Sequence, residues 1–226
     1  MNAKLQTGFT LWELLVTLLV AGVVIGIGVP NMMEFQRNNA NVAAANTLVT
    51  GTLMARAEAV KRQVPVTLCF SDNPNVATPT CSPNPVANSA TRGFIVWVDE
   101  NGNTDPVTGI PILTDATDGN RAVDANETIL MRSTPPGGTI RLSASCGSVS
   151  YGPNGFPTRT GPCGQPIPID VLYCDDRGNR AAAGQLSTAR VVHIDAVGRG
   201  QVLQELPDVT NAIANPPLAS VGPNCP

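Results

Sequence analysis

The residue types able to do chemistry are few and unevenly placed. Cys69, Cys81, Cys146, Cys163, Cys174 and Cys225 include no CxxC pair, and the chain has a single histidine. No metal site is therefore expected, and an even set of thiols in a turn-rich segment reads as disulfides formed in an oxidising compartment. The connectivity stays open; proximity and position favour Cys69 with Cys81 and Cys174 with Cys225. Any Ser/His/Asp or Cys/His catalytic set would need His193, which sits in an alternating run, Ala189 to Asp195, with no GxSxG motif nearby. It reads as a structural histidine, so neither a catalytic residue nor a cofactor is expected. Asp99, Asn101, Asn103 and Asp105 alternate as in a calcium loop, but Thr104 stands where glycine is needed and Ile110 where a bidentate glutamate closes the site. A hydrogen-bonded turn is the expectation there.

The other chemically loaded residue is Glu13. Twenty uncharged residues, Leu14 to Met33, separate it from Glu34, which is the length of a bilayer-spanning helix. A carboxylate inside such a helix costs several kcal/mol unless it is paired. No small-x-small cleavage site follows the run, so a cut before it is the alternative. Gly22, Gly26, Gly28 and Pro30 weaken the helix, and a kink or melted stretch is expected there.

The elements that must position these groups follow from composition and periodicity. Only 14% of the 226 residues are charged, and Gly (21) and Pro (20) are abundant, with 19 of the prolines after residue 63. This excludes a charge-rich disordered chain and a basic nucleic-acid packager. Residues 34–62 contain no proline and six charges, with Val42, Val49, Leu53 and Val60 on one helical face. That face is expected to pack on the domain behind it, with Arg37, Arg56 and Arg62 pointing elsewhere and Pro65 stopping the helix. A first strand begins at Val64 to Phe70, and β-rich runs follow at Gly93 to Asp99, Glu127 to Arg132, Thr139 to Ser145, Val171 to Cys174, Arg190 to Asp195 and Gln201 to Glu205. Two antiparallel sheets packed together are expected, the strand around His193 half-buried, with no second helix. The long loops 71–91 and 100–125 are candidate partner-binding segments.

Gly8-Phe9-Thr10-Leu11-Trp12-Glu13-Leu14-Leu15 resembles the prepilin cleavage signature of type IV pilins and type II secretion pseudopilins, although Trp12 replaces the usual Ile or Val. The resemblance implies that a prepilin peptidase cuts after Gly8 and N-methylates Phe9. It also implies that Glu13 pairs with the amino terminus of a neighbouring subunit, and that Pro30 falls where pilins carry a proline. Further on, Gly93 to Asp99, Glu127 to Arg132, Tyr151 to Gly155, Tyr173 to Gly178, Ala189 to Asp195 and Gly198-Arg199 resemble the GspH/FimT family of minor pilins and pseudopilins. Residues 71–91 and the tail after 206 have no counterpart in it.

Some members of that family involved in DNA uptake carry a Gly-Arg-x-Arg motif that contacts phosphates; here the stretch is Gly198-Arg199-Gly200-Gln201, without the second arginine. Arg190 and Arg199, with Arg177 and Arg180, are the candidate DNA-binding residues. Residues 64–226 hold nine Arg, no Lys and 14 acids, a net of −5, which weighs against DNA. The competing reading has these arginines satisfying turn carbonyls and Asp175, Asp176 and Asp195.

The expected fold is therefore α+β: a long N-terminal helix, transmembrane then amphipathic, packed on a C-terminal antiparallel β-sandwich-like head, the pilin fold. The expected segments are a leader (1–8), a transmembrane or filament-core helix (9–33), a soluble amphipathic helix (34–63) and a disulfide-containing head (64–226). By resemblance the function is that of a non-enzymatic minor pilin or pseudopilin that primes or joins a type IV pilus, held in the inner membrane with its head in the periplasm before entering the filament. Its partners would be other pilins or pseudopilins and the prepilin peptidase. The alternatives are a type II secretion pseudopilin, a DNA-binding minor pilin of a competence pilus, and a membrane-anchored periplasmic binding protein.

Overall fold

The computed structural model describes residues 8–82, 86–99, 123–124, 127–157, 168–181, 183–214 and 218. The chain divides into two compact units, Met1–Asn39 and Ala40–Pro226. Helix α1 (Leu11–Arg62) has 52 residues. The melted stretch expected at Gly22 to Pro30 is not found: the helix is continuous, with Pro30 inside it. Proline removes one hydrogen bond locally, while every flanking residue still adds one to a helix that is already nucleated. Gln63 ends α1 in the left-handed region (φ 59°), and Pro65 follows two residues later.

Among the described residues nine strands follow: β1 (Val66–Ser71), β2 (Val86–Ser89), β3 (Gly93–Val98), β4 (Ile129–Ser133), β5 (Arg141–Ala144), β6 (Ser148–Tyr151), β7 (Ile169–Cys174), β8 (Leu186–Ile194) and β9 (Gly200–Glu205). They form a four-stranded sheet, β4-β3-β1-β6, and a five-stranded sheet, β2-β5-β7-β8-β9. Two antiparallel sheets agree with the expectation. The short β2 and β6 do not, because they fall in stretches whose polar and Gly/Pro-rich sequence reads as loop. A second helix, α2 (Leu206–Ala214), corrects the expectation that there is none. Its nine residues are too few for a strong periodic signal, although Pro207 in the first turn and Val209, Ala212 and Ile213 one turn apart fit a short amphipathic helix.

The face that α1 buries also differs from the expected one. Buried are Asn41, Ala45, Leu48, Gly51, Thr52, Ala55 and Ala59, whereas Leu53 is 56% and Val60 45% exposed. Small residues win because the helix lies close to the sheets. A Cβ placed on Gly51 would stand 2.6 Å from the Phe94 ring, closer than any carbon contact allows. Leu48, Leu68, Phe94, Leu142, Tyr151 and Val192 form the main core with this face. On the opposite side of β7 and β8, Val209 and Leu218 cover Leu172, Ala189 and Val191. The strand around His193 is thus buried on both faces rather than half-buried, since α2 covers the side that the alternating pattern left to solvent.

Gly51→Ala is expected to lower the stability of the head by about 1–2 kcal/mol, the overpacking penalty exceeding the roughly 1 kcal/mol gained in helix propensity. Thermal unfolding of the purified chain in detergent checks this; an unchanged or higher Tm would contradict the close approach.

Candidate functional site

At the start of α1, Gly8 and Phe9 precede the first helical residue, and residues 8–36 are exposed throughout. Phe9 (87%), Trp12 (72%) and Ile27 (65%) are typical. Thr10 and Glu13 form a reciprocal cap. The Thr10 hydroxyl accepts the Glu13 backbone N–H (3.3 Å), while Glu13 Oε2 accepts both the Thr10 N–H and its hydroxyl (2.9 Å each). This is a capping box, in which a Thr/Glu pair three residues apart satisfies the free donors of the first helical turn. The spacing Thr10-x-x-Glu13 was the available signal for it. Glu13 therefore stands at the positive end of the helix dipole, held there by its own chain.

In the head, Cys69 and Cys81 are joined and pack with Ile95 and Trp97. Cys146 and Cys174 are each disulfide-bonded as well; Cys163 and Cys225, and with the latter the expected Cys174–Cys225 pair, lie outside the described residues. Asp99, the first residue of the calcium-like pattern, turns inward, is fully buried and accepts the Thr67 hydroxyl at 2.7 Å; Asn101, Asn103 and Asp105 lie outside the described residues.

The arginines do not assemble into a phosphate-binding set. Arg190 is only 5% exposed, and its Nη1 donates to the carbonyls of Ser187 and Ala189. A guanidinium buried in β8, with Nη1 on two carbonyls of its own strand, is poorly placed to meet a phosphate. Burial, with the like charge of Arg177, lowers its pKa. Arg199 remains exposed, but its Nε donates to Asp195 at 3.0 Å. Arg177 pairs with Asp175 at 2.6 Å. Burial opposes the ionised form of the Asp175 carboxyl, yet Arg177 and Asn41 outweigh it and hold the pKa below the ordinary carboxylate value.

Two buried arrangements were not visible in the sequence. Asn41 of α1 donates from Nδ2 to Asp175 Oδ2 (3.2 Å) and to the Thr188 carbonyl (3.0 Å), which ties the helix to the β7–β8 connection. His193, read from the sequence as structural, lies across the β7–β8 ladder from Asp170, with Nδ1 2.6 Å from Oδ1. The partners are 134 and 23 residues apart in sequence, so only helix–sheet packing and strand register reveal them.

Glu127 precedes β4 and accepts the Asp124 N–H at 2.8 Å. Burial pushes its carboxyl up to about 8, helped by the charges of Asp99 and Asp124 and opposed by the Asp124 N–H.

The family model described as "Type II transport protein GspH" matches residues 44–198. The chain belongs to the GspH family. The match runs from the buried half of α1 to the turn before β9, and GspH-family chains are pilin-like structural subunits, not enzymes. Among solved structures, the chain is similar to the Pseudomonas aeruginosa type IV minor pilin FimU in two crystal forms. One has 14% identity and a TM-score of 0.43, covering 75% of this chain and 92% of that one. The other has 15% identity and a TM-score of 0.38, with 71% and 90% covered. No curated protein gives a significant match.

Two outcomes are expected. Thr10→Ala removes the reciprocal cap and costs about 1 kcal/mol at the helix start; faster amide exchange at residues 11–14 in micelles, with the head unchanged, checks it. Because folded Glu127 holds its proton more tightly than the unfolded chain, where it titrates near 4.5, its contribution is fully present below pH 4.5 and is lost as pH rises through about 8. Glu127→Gln should therefore raise Tm at pH 9 and leave it nearly unchanged at pH 4.5, which melts of both proteins at the two pH values would show.

Proposed function

We propose that this GspH-family chain is a minor pilin or pseudopilin subunit that acts by assembly, priming or joining a type IV pilus through its N-terminal helix. The observation that carries this is the helix itself. Residues 8–36 are exposed on every side of α1, and an all-apolar helix is stable only when lipid or other helices cover it. A membrane-length window lies within α1 and is not buried, so the same surface suits a bilayer before assembly and a bundle of subunit helices afterwards.

In this reading residues 1–8 are the leader, 9–33 the membrane and filament-core segment, 34–63 the soluble helix and 64–226 the head. A prepilin peptidase cuts after Gly8 and methylates Phe9. The subunit waits in the inner membrane with its head in the periplasm, and in the filament Glu13 meets the amino terminus of a neighbouring pilin, while Pro30 serves the helix core. The six cysteines suit the oxidising periplasm.

The type II secretion pseudopilus is a second reading, favoured by the description of the matching family as a type II transport protein. DNA capture gains no support, since Arg190 is buried and Arg199 is engaged by Asp195.

Coexpression with a prepilin peptidase should shorten the chain to an N-methylated Phe9 terminus, seen by intact mass. Glu13→Ala should still be cut but fail to enter filaments, with loss of surface pili in the first reading and of secreted protein in the second. A chain that keeps Met1, or a Glu13→Ala variant that assembles normally, would leave a plain membrane-anchored periplasmic binding protein as the better account.

A further inference from the structure

The side chains of β3 point alternately to two faces. Phe94 and Val96 join the core beneath α1, whereas Ile95 and Trp97 pack on the opposite face with Cys69, Cys81, Val123 and Ile129. On that second face β4 begins irregularly. The β3–β4 register shifts between Val96 and Trp97, and the Val98 N–H donates to the Thr128 carbonyl at 2.9 Å just ahead of the strand. One residue closes the turn that leads in. Glu127 accepts the Asp124 N–H on Oε2 at 2.8 Å, while its own N–H donates to the Asp124 carbonyl at 3.3 Å.

Two polar atoms at this spot are buried without a hydrogen bond, Glu127 Oε1 and Trp97 Nε1. The indole stands beside the same carboxyl. The charges that act on Glu127 are those of Asp99 and Asp124. Asp124 is on its own segment; Asp99 follows β3, is fully buried and accepts the Thr67 hydroxyl. From β1 and the loop after it come Cys69 and Cys81, which are joined and do not titrate. Arg132, on the same face of β4, is turned to the carbonyls of Pro74, Val76 and Ala77.

This arrangement suits a carboxylic acid and not its anion. As an acid, Glu127 brings no charge to Asp99 and Asp124, and Oε2 still accepts the Asp124 N–H. As an anion it would add a third like charge with Oε1 lacking a donor, and a buried charge without partners costs far more than a buried neutral group. Burial, reinforced by the two neighbouring charges, accordingly pushes this carboxyl up to about 8. Water is close at hand, since Glu127 is half-buried and Thr128 exposed. The less costly course for the anion is to turn outward, which gives up the bond to the Asp124 N–H.

We infer that Glu127 is a proton-held latch at the start of β4: with its proton it stays beside Trp97 and closes the turn from Asp124, and on losing the proton it moves into solvent, opens that turn and loosens the Val98–Thr128 end of the β3–β4 pairing. The change is confined to the face of the sheet away from α1, and the core beneath α1 keeps its packing.

The full-length chain carrying Trp12→Phe, purified in detergent, has Trp97 as its one tryptophan. Its emission, followed from about pH 6 to about pH 10, is expected to shift to the red in a one-proton transition at about pH 8. Across that transition the protection of the Val98 amide against exchange, corrected for the intrinsic pH dependence, should fall roughly tenfold while that of β7 holds. Glu127→Gln keeps an acceptor for the Asp124 N–H but has nothing to ionise, so both signals should stay at their low-pH level. If that variant does not fold, Asp124→Asn decides: with one like charge removed and the backbone N–H kept, the transition should move to lower pH. A flat emission in the parent, an identical transition in Glu127→Gln or an unmoved one in Asp124→Asn overturns the inference. So does a spectral change with Val98 still protected, because the carboxylate would then ionise in place.

Discussion

The close approach of α1 to the two sheets is the constraint on which the rest of the head depends. Ala45, Leu48, Gly51, Thr52, Ala55 and Ala59 form a low, smooth face, and Phe94 lies so near Gly51 that one added carbon has no room. With Leu48 the one large apolar side chain on this face, large residues on the sheets, Phe94, Tyr151, Leu142 and Leu68, fill the rest of the space. The arrangement repeats where β8 turns into β9. Gly198 has φ 81°, and a Cβ there would stand 2.6 Å from the Tyr151 ring, while the Tyr151 hydroxyl donates to the Gly198 carbonyl at 3.1 Å. Close packing of this kind tolerates little change in volume, which makes the head a rigid support for whatever its loops present.

Polar groups fix the register that apolar packing alone would leave loose. Asn41 is completely buried and donates to both Asp175 and the Thr188 carbonyl, and Asp175 is in turn clasped by Arg177. Sliding α1 along the sheet by one turn would break these bonds and leave Asp175 with fewer donors in a buried setting, a penalty of roughly 1–3 kcal/mol for each unmet group. The Ser187 hydroxyl donates to Asn179, and the Thr188 hydroxyl donates to the Gly178 carbonyl while accepting the Arg180 N–H. The stretch Tyr173 to Gly178 is thus the hub of a polar clasp between helix and sheet. The loop at 72–80 is held in a similar way: Arg132 donates to the carbonyls of Pro74, Val76 and Ala77, and the Cys69–Cys81 bond closes its base.

How much of this was legible in the sequence depended on range. The long helix, its stop before Pro65, most strands and the two-sheet head follow from local periodicity and turn residues, which report on nearest neighbours along the chain. What escaped is non-local. Of the face expected to be buried on α1, Val49 packs on the core while Leu53 and Val60 stay exposed, because tertiary contact selects for closeness of approach, and Gly51 and the alanines provide it. Arg190 looked like a surface-capable polar residue until its strand was buried on both faces, and the partner of His193 appears only when Asp170 comes into register. The capping box at Thr10 and Glu13 is different, being wholly local, and was overlooked because Glu13 was weighed as a membrane charge rather than as a helix-start residue.

The helix cap and the proposed ion pair of Glu13 are compatible for a geometric reason. A carboxylate has two oxygens and several acceptor sites. All three hydrogen bonds of the cap use Glu13 Oε2 or the Thr10 hydroxyl, so Oε1 stays available within the described chain. The cap also fixes where that oxygen stands, at the first turn of α1 and not swinging on a free side chain. An incoming ammonium would meet a carboxylate whose conformational entropy is already spent, and forming the ion pair would cost less ordering than it would with an unrestrained glutamate. Aspartate at 13 would be too short to reach back to Thr10 in the same way, and glutamine would keep the cap while losing the charge. The charge and the cap are therefore separable properties of one side chain, and the assembly reading needs the charge while the helix start needs only the acceptor.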